Sequence, residues 1–139
     1  MSQINSDIPS IPKGLGGLSG TQLPNGDLII NGGFDCIESR CNNGIFHHKN
    51  GSNQWKRVGA MKRAKGSHSS VLIDGCLFIC GGCNSLGYDL SNHEEFSFKG
   101  GLKDRNEMPI ALRGHTATVF GKHTMLICGG KAKVSKIFS

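Results

Sequence analysis

Val71-Leu72-Ile73-Asp74-Gly75-Cys76-Leu77-Phe78-Ile79-Cys80-Gly81-Gly82 holds two apolar runs, an Asp-Gly turn between them and a closing pair of glycines. Asp-Gly flanked by apolar runs is a strong local hairpin signal. The same sentence is written twice more. Leu23-Pro24-Asn25-Gly26-Asp27-Leu28-Ile29-Ile30-Asn31 leads to Gly32-Gly33, and Met125-Leu126-Ile127-Cys128 leads to Gly129-Gly130. In the third copy, Ala117-Thr118-Val119-Phe120 precedes a turn lengthened to Gly121-Lys122-His123-Thr124. The first glycine of the pair advances from 32 to 81 and then to 129, intervals of 49 and 48 residues. Each unit therefore opens with an antiparallel pair, and its glycines mark a point of positive φ and close backbone approach.

A second hairpin is expected in each complete unit. Ile45-Phe46-His47-His48 runs through Lys49-Asn50-Gly51-Ser52-Asn53 into Gln54-Trp55-Lys56-Arg57-Val58. Tyr88-Asp89-Leu90 runs through Ser91-Asn92-His93 into Glu94-Glu95-Phe96-Ser97-Phe98. Four strands at a period near fifty is the signature of an all-β propeller blade. Met61 precedes His68 by seven residues, as Met108 precedes His115.

In these features the chain resembles the Kelch-repeat family. The residues that carry the resemblance are Met61, Arg63, His68-Ser69, Gly81-Gly82 and Tyr88, with Phe96 standing where a Trp is expected. The first unit contributes Gly32-Gly33, Phe46 and Trp55; the third contributes Met108, Arg113, His115-Thr116 and Gly129-Gly130. The resemblance covers Gly17 to the C-terminus. It divides the chain into a polar, flexible lead-in over 1–16, blades over 17–60 and 61–107, and an incomplete blade over 108–139. Lys133-Val134-Ser135-Lys136-Ile137-Phe138 is read as the third strand of that last blade. The resemblance implies an open, partial propeller of four-stranded antiparallel blades. About two and a half blades do not close a ring of four to eight, so a fragment or self-association to complete the propeller is expected.

Composition sets the outer limits. The 139 residues include 21 glycines, are 37% hydrophobic and carry a formal charge of +6. Many short strands joined by tight turns suit that mixture. The densest basic patch, Lys56, Arg57, Lys62, Arg63 and Lys65, has Trp55 beside it, and lacks the interleaved aromatics of a nucleic-acid surface. No apolar stretch approaches the length of a membrane span. The opening Met1-Ser2-Gln3-Ile4-Asn5-Ser6-Asp7 has no basic start or apolar core, so it does not read as an export signal. The localisation reading leans to the cytoplasm, with an extracellular origin open for a fragment.

Candidate chemistry is thin. Cys76 and Cys80 share a strand face about 13 Å apart, too far for one zinc ion with thiolates at about 2.3 Å. Cys80 and Cys128 hold equivalent places and read as packing residues. Cys36 and Cys41 lie in a polar loop, where a disulfide is one candidate. His68 and His115 are expected to make strand-capping hydrogen bonds, and adjacent His47 and His48 point to opposite faces. Glu94-Glu95 reads as a solvated turn, and Ser67-His68-Ser69 is adjacency without triad geometry. Kelch-type propellers include copper oxidases similar to galactose oxidase, but that chemistry needs two tyrosines, and Tyr88 is alone here.

The expectation is a non-catalytic propeller segment without metal or cofactor. It binds a protein through inter-blade loops, with Lys62, Arg63, Lys65 and Arg113 forming a basic rim suited to an acidic partner. The alternatives are a piece of a larger propeller enzyme of the carbohydrate-epimerase or oxidase type, and an extracellular structural or adhesive module.

Overall fold

Short extended runs broken by glycine and asparagine leave no stretch for a helix, and residues 8–131, which the structure describes (a computed structural model), are all-β. In chain order, β1 (Leu15–Gly16) is followed by β2 (Ser19–Gln22), β3 (Leu28–Asn31), β4 (Phe34–Asp35) and β5 (Arg40–Cys41). Then come β6 (Gly44–His48), β7 (Trp55–Ala60), β8 (Ser69–Ile73) and β9 (Cys76–Cys80). The last four are β10 (His93–Ser97), β11 (Gly101–Arg105), β12 (Arg113–Phe120) and β13 (Thr124–Lys131). They form four antiparallel sheets. The first has order β2-β3-β6-β7, the second β8-β9-β10-β11 and the third β12-β13, beside a small sheet β1-β4-β5.

The expected hairpins at the glycine units are present. Asp74 and Gly75 turn β8 into β9 with φ of 51° and 76°, the paired positive φ that matches strand twist in a two-residue turn. The first two doublets close their strands with both glycines at positive φ, 69° and 100° at Gly32-Gly33 and 66° and 95° at Gly81-Gly82, whereas Gly129 and Gly130, at 71° and 88°, lie within β13. Close approach explains the requirement. A Cβ on Gly81 would lie 2.7 Å from both the His115 ring and the Leu112 carbonyl oxygen. The following unit supplies that backbone. Gly33 N–H donates to Lys65 O and Gly82 N–H to Leu112 O, each at 2.8 Å.

The first strands of the three larger sheets lie side by side, β2 next to β8 and β8 next to β12. Ser67 N–H donates to Gly17 O at 2.9 Å, and Gly114 N–H to Ser67 O at 2.8 Å. One apolar cluster, Ile29, Ile45, Met61, Leu77, Ile79 and Phe96, fills the first interface. A second, Cys80, Met108, Leu112 and Ile127, fills the next.

Two strand assignments are corrected. Tyr88-Asp89-Leu90 is not the third strand of the second sheet; His93–Ser97 is, and Gly101–Arg105 is the fourth. The loop after Gly82 is longer than the aromatic spacing suggested, because Asn84 organises its own turn. Its Oδ1 accepts the Leu86 and Tyr88 N–H groups, both at 3.0 Å. Phe96 therefore does not hold the place of Trp55. His48 pairs with Trp55 as Phe96 pairs with Leu102, so Leu102 stands at the Trp position. Within the described part of the lead-in, Leu15 and Gly16 pair with Asp35 and Phe34, and Pro9 O accepts the Trp55 indole N–H at 2.9 Å. The strand read over Lys133–Phe138 lies outside the described residues.

Candidate functional site

Two loops that follow glycine doublets occupy equivalent places in the first and second units, and each is held by an Asx turn. In the first, Asp35 Oδ1 accepts the N–H groups of Ile37 at 2.9 Å and Glu38 at 3.0 Å. Those backbone donors, Glu38's foremost, hold the Asp35 carboxyl below its usual range. In the second, Asn84 performs the same task. Because the polar backbone is satisfied within each turn, the side chains at the tips are free to point outward. Ile37 is 95% exposed, Leu86 81% and Tyr88 67%.

The loops touch. Cys41 N–H donates to Ser85 Oγ at 2.8 Å, and the Cys41 thiol reaches Cys83 O at 3.5 Å. Arg113 then clamps the second loop by donating to the Asp89 carboxylate and to Gly87 O. Between the loops lies a cleft of about 440 Å³ with Lys13, Arg40 and Arg57 in its walls. Lys13 and Arg40 both pair with Glu38, at 3.4 and 2.6 Å, and Arg57 donates to Asn43 Oδ1 at 3.1 Å.

The basic rim inferred from sequence is dispersed. Lys65 is wholly buried, with Nζ 2.9 Å from Asn92 Oδ1 and 3.3 Å from Glu94 Oε1. Burial drives the Lys65 ammonium's pKa down, and the Glu94 carboxylate opposes that shift. Neither residue is at the surface, so the solvated Glu94-Glu95 turn is corrected as well. Leu112 is fully buried, and Arg113 is committed to Asp89, whose carboxylate raises its pKa. Of the four cations, Lys62 and Arg63 remain exposed, and Lys62 pairs with Asp104 at 2.8 Å.

The Cys36–Cys41 disulfide is not formed. Cys41 is buried opposite Phe34 in the β4-β5 pair, whereas Cys36 lies exposed in the turn that joins them. All six cysteines are free thiols, and burial pushes the Cys80 thiol up to about 12. His68 and His115 do not cap strands; they tie one unit to another. His68 Nε2 donates to Asn31 Oδ1 at 2.6 Å, and His115 Nε2 lies 2.8 Å from Ser69 Oγ. Their equivalence was legible in the spacing. Their partners, 37 and 46 residues away, carry no local signal. Among the described residues no group of three or more His, Cys, Asp or Glu side chains is arranged to hold a metal ion. No protein-family model matches the chain, and no curated protein matches it.

Proposed function

We propose that the chain is a Kelch-type propeller segment that binds another protein without catalysing a reaction, through the loops that follow its glycine doublets. One observation carries this reading: Ile37, Leu86 and Tyr88 stand in solvent on two neighbouring loops whose backbones are fixed by Asp35 and Asn84. Large apolar side chains held outward on rigid loops offer anchors at low entropic cost. The blade reading rests on the repeated inter-unit hydrogen bonds and on two complete four-stranded antiparallel sheets set at the doublet period. Arg57 and Arg40 beside the anchors favour a partner segment that carries carboxylates next to apolar residues.

The test is a peptide-display selection on the full chain, followed by affinity measurement on Ile37→Asp/Leu86→Asp and on Tyr88→Ser. Selected peptides should be enriched in acidic and apolar residues and lose at least about tenfold in affinity on the first variant. The variant should keep its melting temperature, because these side chains bury little. Equal affinity for the variants and the parent would remove this surface from consideration.

A further inference from the structure

Alternation along β6 and β7 sorts the outer half of the first sheet onto two faces. His48 pairs with Trp55 on one face, and His47 pairs with Lys56 on the other. Between these strands the chain turns at residues 49–52. Ser52 N–H donates to Lys49 O at 2.9 Å, and Ser52 O accepts from His48 Nε2 at 2.8 Å. Ser52 Oγ in turn accepts Gln54 N–H at 3.1 Å. These bonds fix the turn that borders a cavity of about 450 Å³, lined by His47, Lys49, Ser52, Gln54 and Lys56.

His47 is held from two sides. Its Nε2 lies 2.8 Å from Asp27 Oδ2, and the Phe98 ring, from the turn between β10 and β11, packs edge-on against it with centroids 4.9 Å apart. Asp27 is 7% exposed. Its Oδ1 accepts Asn50 N–H at 2.8 Å, and Asn25 Nδ2 donates to Oδ2 at 3.2 Å. These donors, Asn50 N–H foremost and then the His47 ring, hold the Asp27 carboxyl below its usual range. An ionised carboxylate can only accept, so His47 Nε2 is the donor of their bond. Nδ1 is the nitrogen that His47 can offer the cavity.

The fold does not require this charge pattern. Ile29 pairs with His47 as Phe78 pairs with Glu95, and His47 pairs with Lys56 as Glu95 pairs with Lys103. The second sheet thus sets a carboxylate against lysine where the first sets an imidazole. Among the described residues the cavity lining holds two lysines and no carboxylate. Two ammonium groups on one small surface repel each other, and an anion between them removes that cost. A carboxylate would offer two oxygens. Two ammoniums, the Gln54 amide and a ring nitrogen match the three terminal oxygens of a phosphate.

We propose that His47, Lys49, Gln54 and Lys56 bind inorganic phosphate or a phosphate monoester. Lys49 and Lys56 neutralise the dianion, and the Gln54 amide donates to one terminal oxygen. One proton lies between His47 Nδ1 and another oxygen; it comes with the phosphate when the ring is neutral and with the ring when it is charged. Asp27 is a positioning residue, since it fixes the ring without reaching the ligand. The site shares no residue with the two loops that carry Ile37, Leu86 and Tyr88, and its test is independent of that reading.

The probe is inorganic phosphate, titrated into the full chain at constant ionic strength to remove general screening. Binding is read from amide shifts and from the ring nitrogen resonances of His47. Saturable shifts should centre on Lys49, Gln54 and Lys56 with a Kd of about a millimolar or tighter, and Nδ1 should move further than Nε2. Lys49→Gln/Lys56→Gln, confirmed folded by its melting curve, should weaken binding at least about tenfold, and acetate should bind the parent at least about tenfold more weakly than phosphate. Asp27→Asn should bring the two ring nitrogen resonances together as the tautomers exchange, with weaker phosphate binding. An unchanged tautomer and affinity there would overturn the positioning role. A phosphoserine peptide and glycerol phosphate separate the sources: the tighter binder assigns the site either to a phosphorylated protein segment or to a small phosphorylated metabolite. No saturation by roughly 20 mM phosphate, undiminished affinity in the double lysine variant, or equal binding of acetate overturns the proposal.

Discussion

His68 is where a single side chain joins two units. Its ring lies against Gly32, its Nε2–H is taken by Asn31, and it is 7% exposed. Burial first, then the nearby Lys65 ammonium and His115, lower its pKa from 6.5 to about 3. The unfolded chain therefore binds a proton at this residue that the folded chain refuses between those two values. Its contribution to stability is complete above about pH 6.5 and is lost as pH falls toward 3. Between pH 6.5 and 5 the loss is about 2 kcal/mol, with His115 and His93, also lowered by burial, acting in the same direction. The carboxylates held low by hydrogen bonds, such as Asp27 and Glu95, act at lower pH because their unfolded values lie near 4. Thermal melts across pH 7.5 to 5 should show a falling midpoint in the parent and a flatter profile in His68→Gln, which starts lower. An identical slope in the variant would show that His68 does not govern this range.

Lys65 and Glu94 tie the connection between β7 and β8 to strand β10. Both side chains are fully buried; Glu94 Oε2 accepts Lys62 N–H at 2.9 Å, and Asn92 Nδ2 donates to Glu94 Oε1 at 3.0 Å. The same positions elsewhere in the fold are less polar. Leu112 offers its carbonyl to Gly82 as Lys65 does to Gly33, and Phe46 pairs with Ile30 as Glu94 pairs with Ile79. Removing one member strands a buried charge, so Lys65→Met or Glu94→Leu alone should cost about 3–5 kcal/mol in urea denaturation, while Lys65→Leu/Glu94→Leu recovers most of it. Additive losses in the double variant would rule out the coupling. This element also shows where sequence reading stops. The Asp74-Gly75 hairpin and the glycine doublets were legible because positive φ is a local demand met by local residues. Lys65 was read as surface because it follows Lys62 and Arg63, and its burial depends on a carboxylate 29 residues away, at position 94. The third and fourth strands of the second sheet were displaced in the reading because aromatic spacing was matched across loops of different length, although Gly100-Gly101 marked the true turn. Ile37 and Leu86 gave no signal at all, since exposure at a loop tip is set by the turn beneath it.

At the scale of the molecule, the three larger sheets form a line in which each touches its neighbour along its first strand. Stability in such an array is a sum of units and nearest-neighbour interfaces. The interfaces here are unequal. The first joins two four-stranded sheets and is sealed by Phe96, with Val58 and Leu102 packed at its margin. The second joins a four-stranded sheet to what is, among the described residues, a hairpin, and contains a cleft of about 600 Å³. Opening the hairpin exposes one partly filled interface, whereas opening the second sheet breaks both. Native-state hydrogen exchange should therefore give β12 and β13 an opening free energy about 2 kcal/mol or more below that of β3 and β9, with a smaller denaturant dependence. Met108→Ala, in the interface that breaks in both openings, should lower the β12–β13 value and the β3 and β9 values together. Met61→Ala, made in the sealed interface where loss of a buried large side chain costs about 2–5 kcal/mol, should lower the β3 and β9 values and leave the β12–β13 value unchanged. Uniform exchange, with one free energy and one denaturant slope for β3, β9 and β13, would mean that the three sheets fold as a single cooperative unit. The cleft would then be a surface feature without consequence for the order in which the molecule comes apart.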